Sequence, residues 1–180
     1  MPSLERALNI FGWMHENELG WLRQQASIHQ KIVEIGSFMG RSTRVLAENT
    51  RGTVTAVDTW AGSDEQQHRD ILDGKPVDWL FKEFKLNMAG LTNVAMMRML
   101  SLDAAKALAG NAFDMIFVDA SHDYDNVKAD IEAWLPLTAP GGLFCGHDFH
   151  SGAPGVMRAV AEHFPNARVF ESIWYSVLPR

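Results

Sequence analysis

The sequence predicts an α/β fold: a doubly wound sheet, mostly parallel, with an antiparallel C-terminal edge pair and an N-terminal helical extension. Three observations predict it. From residue 31 onward, short β-rich runs alternate with helical patterns, which implies parallel strands joined by right-handed crossovers with helices on both faces. The run from Lys31 to Thr43, KIVEIGSFMGRST, reads as a strand, a tight glycine turn and a helix start. The runs 168–170 and 174–178 are separated by a gap too short for a crossover, so they can join only as antiparallel neighbours.

The elements follow in order. Residues 1–30 read as helical, with Leu4, Leu8 and Phe11 on one face, then Leu19, Leu22 and Ala26 on another. Strands are expected at 31–35, 53–57, 93–97, 113–118 and 142–146, and helices at 41–49, 77–89, 102–109, 125–135 and 155–164. The helix at 77–89 has Pro76 at its start and a stripe of Val77, Leu80, Phe81, Phe84 and Met88. Leu135 precedes Pro136, so the helix at 125–135 should stop there. The polar stretch Ala61–Lys75, with Gly62 and Gly74, is expected to be a mobile loop or lid. There is no sign of a linker or a second domain.

Composition narrows the function. A chain of 180 residues, 47% of them apolar, suits one domain with a sizeable core. A net charge of −6 without a cluster of lysine or arginine argues against nucleic acid or an anionic membrane as the main partner. The single cysteine, Cys145, excludes an internal disulfide, fits a reducing compartment and is expected to be buried and inert. With no spanning apolar run and no secretion signal, a soluble cytoplasmic protein is expected. Tryptophan and phenylalanine near both ends are compatible with a homodimer.

The glycine turn has three readings: a βα turn needing glycine for geometry alone, a dinucleotide site, or an S-adenosylmethionine site. A dinucleotide fingerprint asks for G-x-G-x-x-G, which brings the pyrophosphate onto a helix N-terminus. Here the pattern is Glu34-x-Gly36-x-x-x-Gly40-x-Ser42, with Phe38 where the middle glycine belongs. A methionine moiety tolerates that, and Glu34 can receive its ammonium group, whereas a carboxylate would repel a pyrophosphate. Asp58, at the tip of the second strand, can hold the hydroxyls of a ribose.

A second constellation lies on two other strands. Asp119 ends one apolar strand and His147-Asp148 end the next, while His122 follows Asp119 by three residues. Neighbouring strands lie about 4.8 Å apart, so these tips can converge on one cation. The competing reading makes Asp119 and Asp148 caps of the following turns and one histidine a surface residue. Asp119, His122 and His147 also match the two-histidine, one-carboxylate set of non-haem iron oxygenases, though such sites usually sit on β-barrels.

These motifs, together with Asp58-Thr59-Trp60, Phe113–Tyr124, Pro140-Gly141-Gly142 and Gly146-His147-Asp148, resemble class I S-adenosylmethionine-dependent methyltransferases. The similarity is to small metal-dependent O-methyltransferases of the catechol and macrocin kinds, and covers roughly residues 30–178, most of one domain. It implies a single cofactor-binding domain over 31–180 and methyl transfer to a hydroxyl of a small molecule. On the resemblance, Glu34, Gly36 and Ser42 match the methionine-binding turn, Asp58 matches the ribose-binding acid, and Ser37, Gly40 and Thr59 are further cofactor-binding residues. Ser101 meets the adenine, with Trp60 beside it or over the pocket mouth, unless Trp60 is plain packing. Asp119 flanks the cofactor.

The resemblance also implies a divalent metal, magnesium or manganese, on Asp119, His147 and Asp148, with His122 as the general base. His147 departs from the pattern, since relatives tend to carry a carboxylate there. An imidazole tilts the site from magnesium toward manganese, iron, nickel or zinc. Alternatively His147 does not ligate. A metal-independent methyltransferase and a non-catalytic cofactor-binding protein are the other readings. Trp13, Met14 and His15 are a second lid candidate, and His150 is within reach of the pocket. Arg41 faces either substrate or solvent. His15, His29, His68 and His163 show no partner pattern and read as surface residues.

Overall fold

The computed structural model describes residues 4–63 and 65–180. Residues 1–3 of the expected extension and Asp64 of the expected lid lie outside them. The chain runs through α1 (Glu5–Leu8), α2 (Glu16–Ala26), β1 (Lys31–Ile35), α3 (Arg41–Asn49), β2 (Thr53–Asp58), α4 (Gln66–Leu72), α5 (Trp79–Asn87) and β3 (Val94–Arg98). It continues through α6 (Ser101–Ala107), β4 (Phe113–Val118), α7 (Tyr124–Trp134), β5 (Thr138–Gly146), α8 (Pro154–His163), β6 (Arg168–Phe170) and β7 (Ile173–Val177).

The strands form one seven-stranded sheet in the order β3-β2-β1-β4-β5-β7-β6. Strands β1 to β5 are parallel to their neighbours, and β7 is antiparallel to both β5 and β6. The expected fold class is the observed one. The direction of winding reverses between β1 and β4, and a crevice opens there beyond the carboxyl ends of the strands.

Alternation along β1 builds the two apolar layers. Ile32 belongs to the cluster of Leu22, Leu46 and Phe117, beneath α2 and α3. Val33 and Ile35 join Val127, Ile131 and Trp134, beneath α7. Fully burying each such side chain contributes roughly 1.5–3 kcal/mol, and a one-residue slip would exchange every face, so the register is strongly specified. A third cluster packs Trp60, Leu80, Phe84 and Met88 beside α5.

Some expected elements differ from the observed ones. The helix assigned to 77–89 starts at Trp79, because Pro76 opens a turn in which the Trp79 N–H donates to the Pro76 carbonyl at 2.8 Å. Val77 therefore falls off the apolar stripe and is 90% exposed. Phe11 lies beyond the short α1 and is likewise exposed, whereas Leu19, Leu22 and Ala26 are buried in α2 as expected. The stretch Ala61–Lys75 contains α4, whose polar sequence QQHRDIL has no apolar periodicity to announce it. Strand β5 begins four residues early. Pro140 lacks an N–H and Gly141 has φ of 75°, so pairing with β4 jumps from Phe113–Thr138 to Met115–Leu143. No helix among the described residues is long and apolar enough to cross a membrane.

Candidate active site

A cleft of about 920 Å³ opens over the carboxyl ends of β1, β2, β4 and β5. The register brings its floor together. Ile35 pairs with Val57 and with Val118, and Val118 pairs with Gly146, so Gly36, Asp58, Asp119 and His147 stand side by side one residue further on. Gly36 has φ of 88°, and a Cβ there would come within 2.1 Å of the Asp119 carbonyl oxygen. Only glycine lets the turn after β1 cross the tip of β4 so closely. Gly40, at φ of 90°, caps α3 without a side-chain hydrogen bond and lines the cleft.

Beneath the glycine turn at one end, behind the residues that line the cleft, Glu34 is fully buried. Its Oε2 accepts from Ser37 Oγ at 2.7 Å and from Thr43 Oγ1, while Oε1 has no partner. Burial raises its pKa, against the opposing pull of the neighbouring Ser42, Thr43 and Ser37 hydroxyls. Ser37, Gly40 and Ser42 line the cleft. Asp58 Oδ2 accepts from the Phe38 N–H at 2.8 Å and Oδ1 from the Trp60 N–H at 2.6 Å, so this acid is aimed by the backbone around it. Burial pushes Asp58 up as well. Thr59 lines the cleft beside it.

Trp60 does not line the cleft. Its indole is fully buried against Phe81 and Phe84, and Nε1 donates to the Phe38 carbonyl at 2.8 Å, so packing holds it below the floor. Ser101 lines the cleft, but its hydroxyl donates to Asp130 and accepts from Trp134 Nε1 at 2.8 Å. Asp130, which the sequence did not single out, is 6% exposed and also lines the cleft. Burial outweighs the Ser101 hydrogen bond and pushes Asp130 up to about 6.

At the other end, Asp119, His147 and Asp148 each offer a ligand atom, all within 4.8 Å of one another. His147 Nδ1 is 3.2 Å from Asp148 Oδ1 and 3.6 Å from Asp119 Oδ1. His147 Nε2 is 3.0 Å from Glu18 Oε1. His122 sits between Asp148 and Glu65: Nε2 is 2.8 Å from Asp148 Oδ2 and Nδ1 is 2.7 Å from Glu65 Oε1. His150 Nε2 lies 3.4 Å from Asp148 Oδ1.

The electrostatics follow from this crowding. Burial opposes charge on His147, but Asp119, Asp148 and Glu18 prevail and hold its pKa up at about 11. The hydrogen bond to Asp148 raises His122 to about 9, against partial burial. Asp148, despite burial, is held well below the usual carboxylate range by its two histidines. Among the described residues Asp119 has no donor at hydrogen-bond distance, and burial pushes it up.

A roof crosses the cleft. Arg41 Nη1 donates to the carbonyls of Gly12 at 2.9 Å and Ile10 at 3.4 Å, so this residue holds the N-terminal segment rather than facing solvent. Trp13 packs on Phe38 at 4.9 Å between ring centroids and on His68 at 5.3 Å. His68, expected as a surface residue, is stacked on Phe38 at 5.0 Å and lines the cleft. His29 and His163 have partners too, since each engages the carbonyl four residues earlier through Nδ1. Cys145 is buried, and burial pushes its thiol pKa well up.

The residues the sequence left out are Glu18, Glu65, His68 and Asp130. Glu18 carried one signal: it stands three residues after His15, and its Oε2 caps the His15 N–H at 2.8 Å. Nothing local reports that its other oxygen reaches His147.

A family model described as a methyltransferase domain matches residues 33–149, well over half of the chain. A protein of Sinorhizobium fredii designated y4gI is 26% identical over 141 residues, covering 76% of this chain and 15% of the relative. The chain thus spans a small fraction of that curated relative. The structure is similar to that of an O-methyltransferase from Bacillus cereus in complex with SAH (TM-score 0.64, 22% identity, 98% of this chain and 92% of that one). It is also similar to the O-methyltransferase TomG from Streptomyces achromogenes in complex with SAM (TM-score 0.68, 18% identity, 93% and 82%). At these identities the likeness concerns the fold.

Proposed function

The chain belongs to the methyltransferase-domain family, and from that premise we propose that it transfers the methyl group of S-adenosylmethionine to a hydroxyl of a small molecule, assisted by a divalent metal. The observation that carries the donor reading is the orphaned Oε1 of Glu34, fully buried beneath the glycine turn. An unpartnered buried carboxylate oxygen is unfavourable by itself and suits an ammonium group. Ser37, Gly40 and Ser42 frame the same end of the cleft. Asp58 retains acceptor capacity for ribose hydroxyls beyond its two backbone bonds, since each carboxylate oxygen carries two lone pairs. The proton of the Ser101 hydroxyl is committed, so at the adenine end the free acceptor belongs to Asp130.

When bound, S-adenosylmethionine supplies an electrophilic methyl group on a sulfonium. The chain would hold it and the acceptor at near-attack distance beneath the Arg41-held roof. Asp119, His147 and Asp148 would hold the divalent cation, whose chemistry is to polarise the acceptor hydroxyl. His122 would take the hydroxyl proton. Its raised pKa comes first from the hydrogen bond to Asp148, so a carboxylate engaged elsewhere would let Nε2 return toward the neutral range where it accepts a proton.

A metal-independent methyltransferase has one observation in its favour: the His147 and His122 rings already lie against the carboxylates of Glu18, Glu65, Asp119 and Asp148. Calorimetric titration with S-adenosylhomocysteine, NAD and 2-oxoglutarate, with and without chelator, separates the readings. Binding of the first alone supports a methyltransferase. A chelator that abolishes turnover while leaving cofactor affinity intact supports metal on the acceptor side, and no chelator effect favours the metal-independent reading. Binding of NAD or 2-oxoglutarate instead would overturn the donor.

A further inference from the structure

His147 brings an imidazole into what would otherwise be an all-oxygen ligand set, and its surroundings suit that purpose. The side chain is 8% exposed, and its two nitrogens face different partners. Nδ1 faces the carboxylates of Asp119 and Asp148, while Nε2 faces Glu18 Oε1 at 3.0 Å on the side away from them.

Glu18 is itself locked. It is 1% exposed, its Oε2 accepts from the His15 N–H at 2.8 Å, and its Oε1 also accepts from the Ser172 N–H at 3.2 Å. Two backbone donors, one from the start of α2 and one from the turn before β7, therefore fix the carboxylate before it meets the ring. A carboxylate that accepts from one imidazole nitrogen sets the ring orientation and tautomer and makes the other nitrogen a better donor to a metal. A nitrogen ligand in turn favours manganese and other divalent transition ions over magnesium, which prefers oxygen.

We propose that Glu18 is a positioning residue for the metal site: by accepting the Nε2 proton of His147 it commits Nδ1 to the cation shared with Asp119 and Asp148, and so biases the site toward a manganese-class ion over magnesium. The proposal rests on the metal-assisted reading above and adds both a residue and an ion preference to it.

The test uses manganese as a spectroscopic probe on the full chain and on Glu18→Gln and Glu18→Ala. Affinity is read from the free-ion electron paramagnetic resonance signal, magnesium affinity by competition, and nitrogen ligation from electron spin-echo modulation. The unaltered protein should bind manganese in preference to magnesium and show modulation from one imidazole nitrogen. Glu18→Ala should lose that modulation and weaken manganese about 10- to 100-fold, the usual effect of removing such an outer partner, while magnesium weakens far less. Glu18→Gln keeps a carbonyl acceptor, so it should keep the modulation with an intermediate loss of manganese affinity.

A purely structural Glu18 would lower both affinities together and leave the nitrogen signal in the bound fraction, which overturns the proposal. Should Glu18→Ala fail to fold, unchanged manganese affinity and ion preference in Glu18→Gln also overturn it. Manganese bound without nitrogen modulation in the unaltered protein overturns the proposal and leaves metal assistance standing. No binding of either ion, with S-adenosylhomocysteine still bound, overturns both.

Discussion

Replacing Glu34 with glutamine separates the fold from the donor site. In the free protein Glu34 Oε2 accepts two hydroxyl hydrogen bonds and Oε1 accepts none, in a fully buried position where charge is penalised. The amide of glutamine has the same shape. Its carbonyl can keep the Ser37 and Thr43 bonds, and its NH2 group takes the place of the orphaned oxygen, so folding stability should shift by no more than about 1 kcal/mol. In the proposed site, the cofactor ammonium would meet a donor in place of an acceptor. A hydrogen bond to a charged group contributes about 1.5–3 kcal/mol, and at about 1.4 kcal/mol per decade that is a loss of roughly 10- to 150-fold in affinity. Isothermal calorimetry with S-adenosylhomocysteine reads the affinity, and urea melts of both proteins read the stability. Affinity unchanged within about twofold would refute the assignment of Glu34 to the ammonium. A large loss of stability would refute the claim that the carboxylate charge contributes little to the fold.

Three further outcomes are expected. His122→Ala should slow turnover roughly 100- to 10,000-fold, the range for a lost general base, with little change in S-adenosylhomocysteine affinity; equal losses in both measurements argue against the base role. Asp130 titrates at about 6 when folded, above its usual 3.8, so the stability contributed by its bound proton is present in acid and lost as pH rises through about 6. Asp130→Asn should therefore gain up to about 3 kcal/mol over the unaltered protein above that pH, at 1.36 kcal/mol per unit, and the gain should vanish toward pH ~4; a gain independent of pH in urea melts contradicts this. Arg41→Ala should speed hydrogen exchange over residues 9–14 and raise KM for the acceptor, because two carbonyls of that segment lose their donor; unchanged exchange would mean that the roof holds without it.

Much of the fold is legible because its signals are local. The alternation of Ile32, Val33, Glu34 and Ile35, the glycines at 36 and 40, and the short gap between β6 and β7 each fix a conformation within a few residues. The strand tips carrying Asp58, Asp119, His147 and Asp148 are legible for a topological reason: parallel strands on either side of a switch point end on one edge. The remainder depends on contacts remote in sequence. Trp60 follows the same strand as Asp58, but with φ of 49° its indole packs under α5 instead of entering the cleft. Glu65 belongs to a polar segment without periodicity and acquires meaning only from His122, 57 positions later. Asp130 sits in an ordinary amphipathic helix, and its partnership with Ser101 appears only once α6 and α7 pack together.

The knot of Glu18, His147 and Ser172 has a consequence for biosynthesis. Glu18 meets His147 across 129 positions and Ser172 across 154. On a translating ribosome, α2 emerges early, yet its carboxylate waits for nearly the whole sheet before either tether exists. The bonds that join Glu34 to Ser37 and Phe38 to Asp58 span far shorter separations. The cluster around His147 therefore closes last, once β7 has been made.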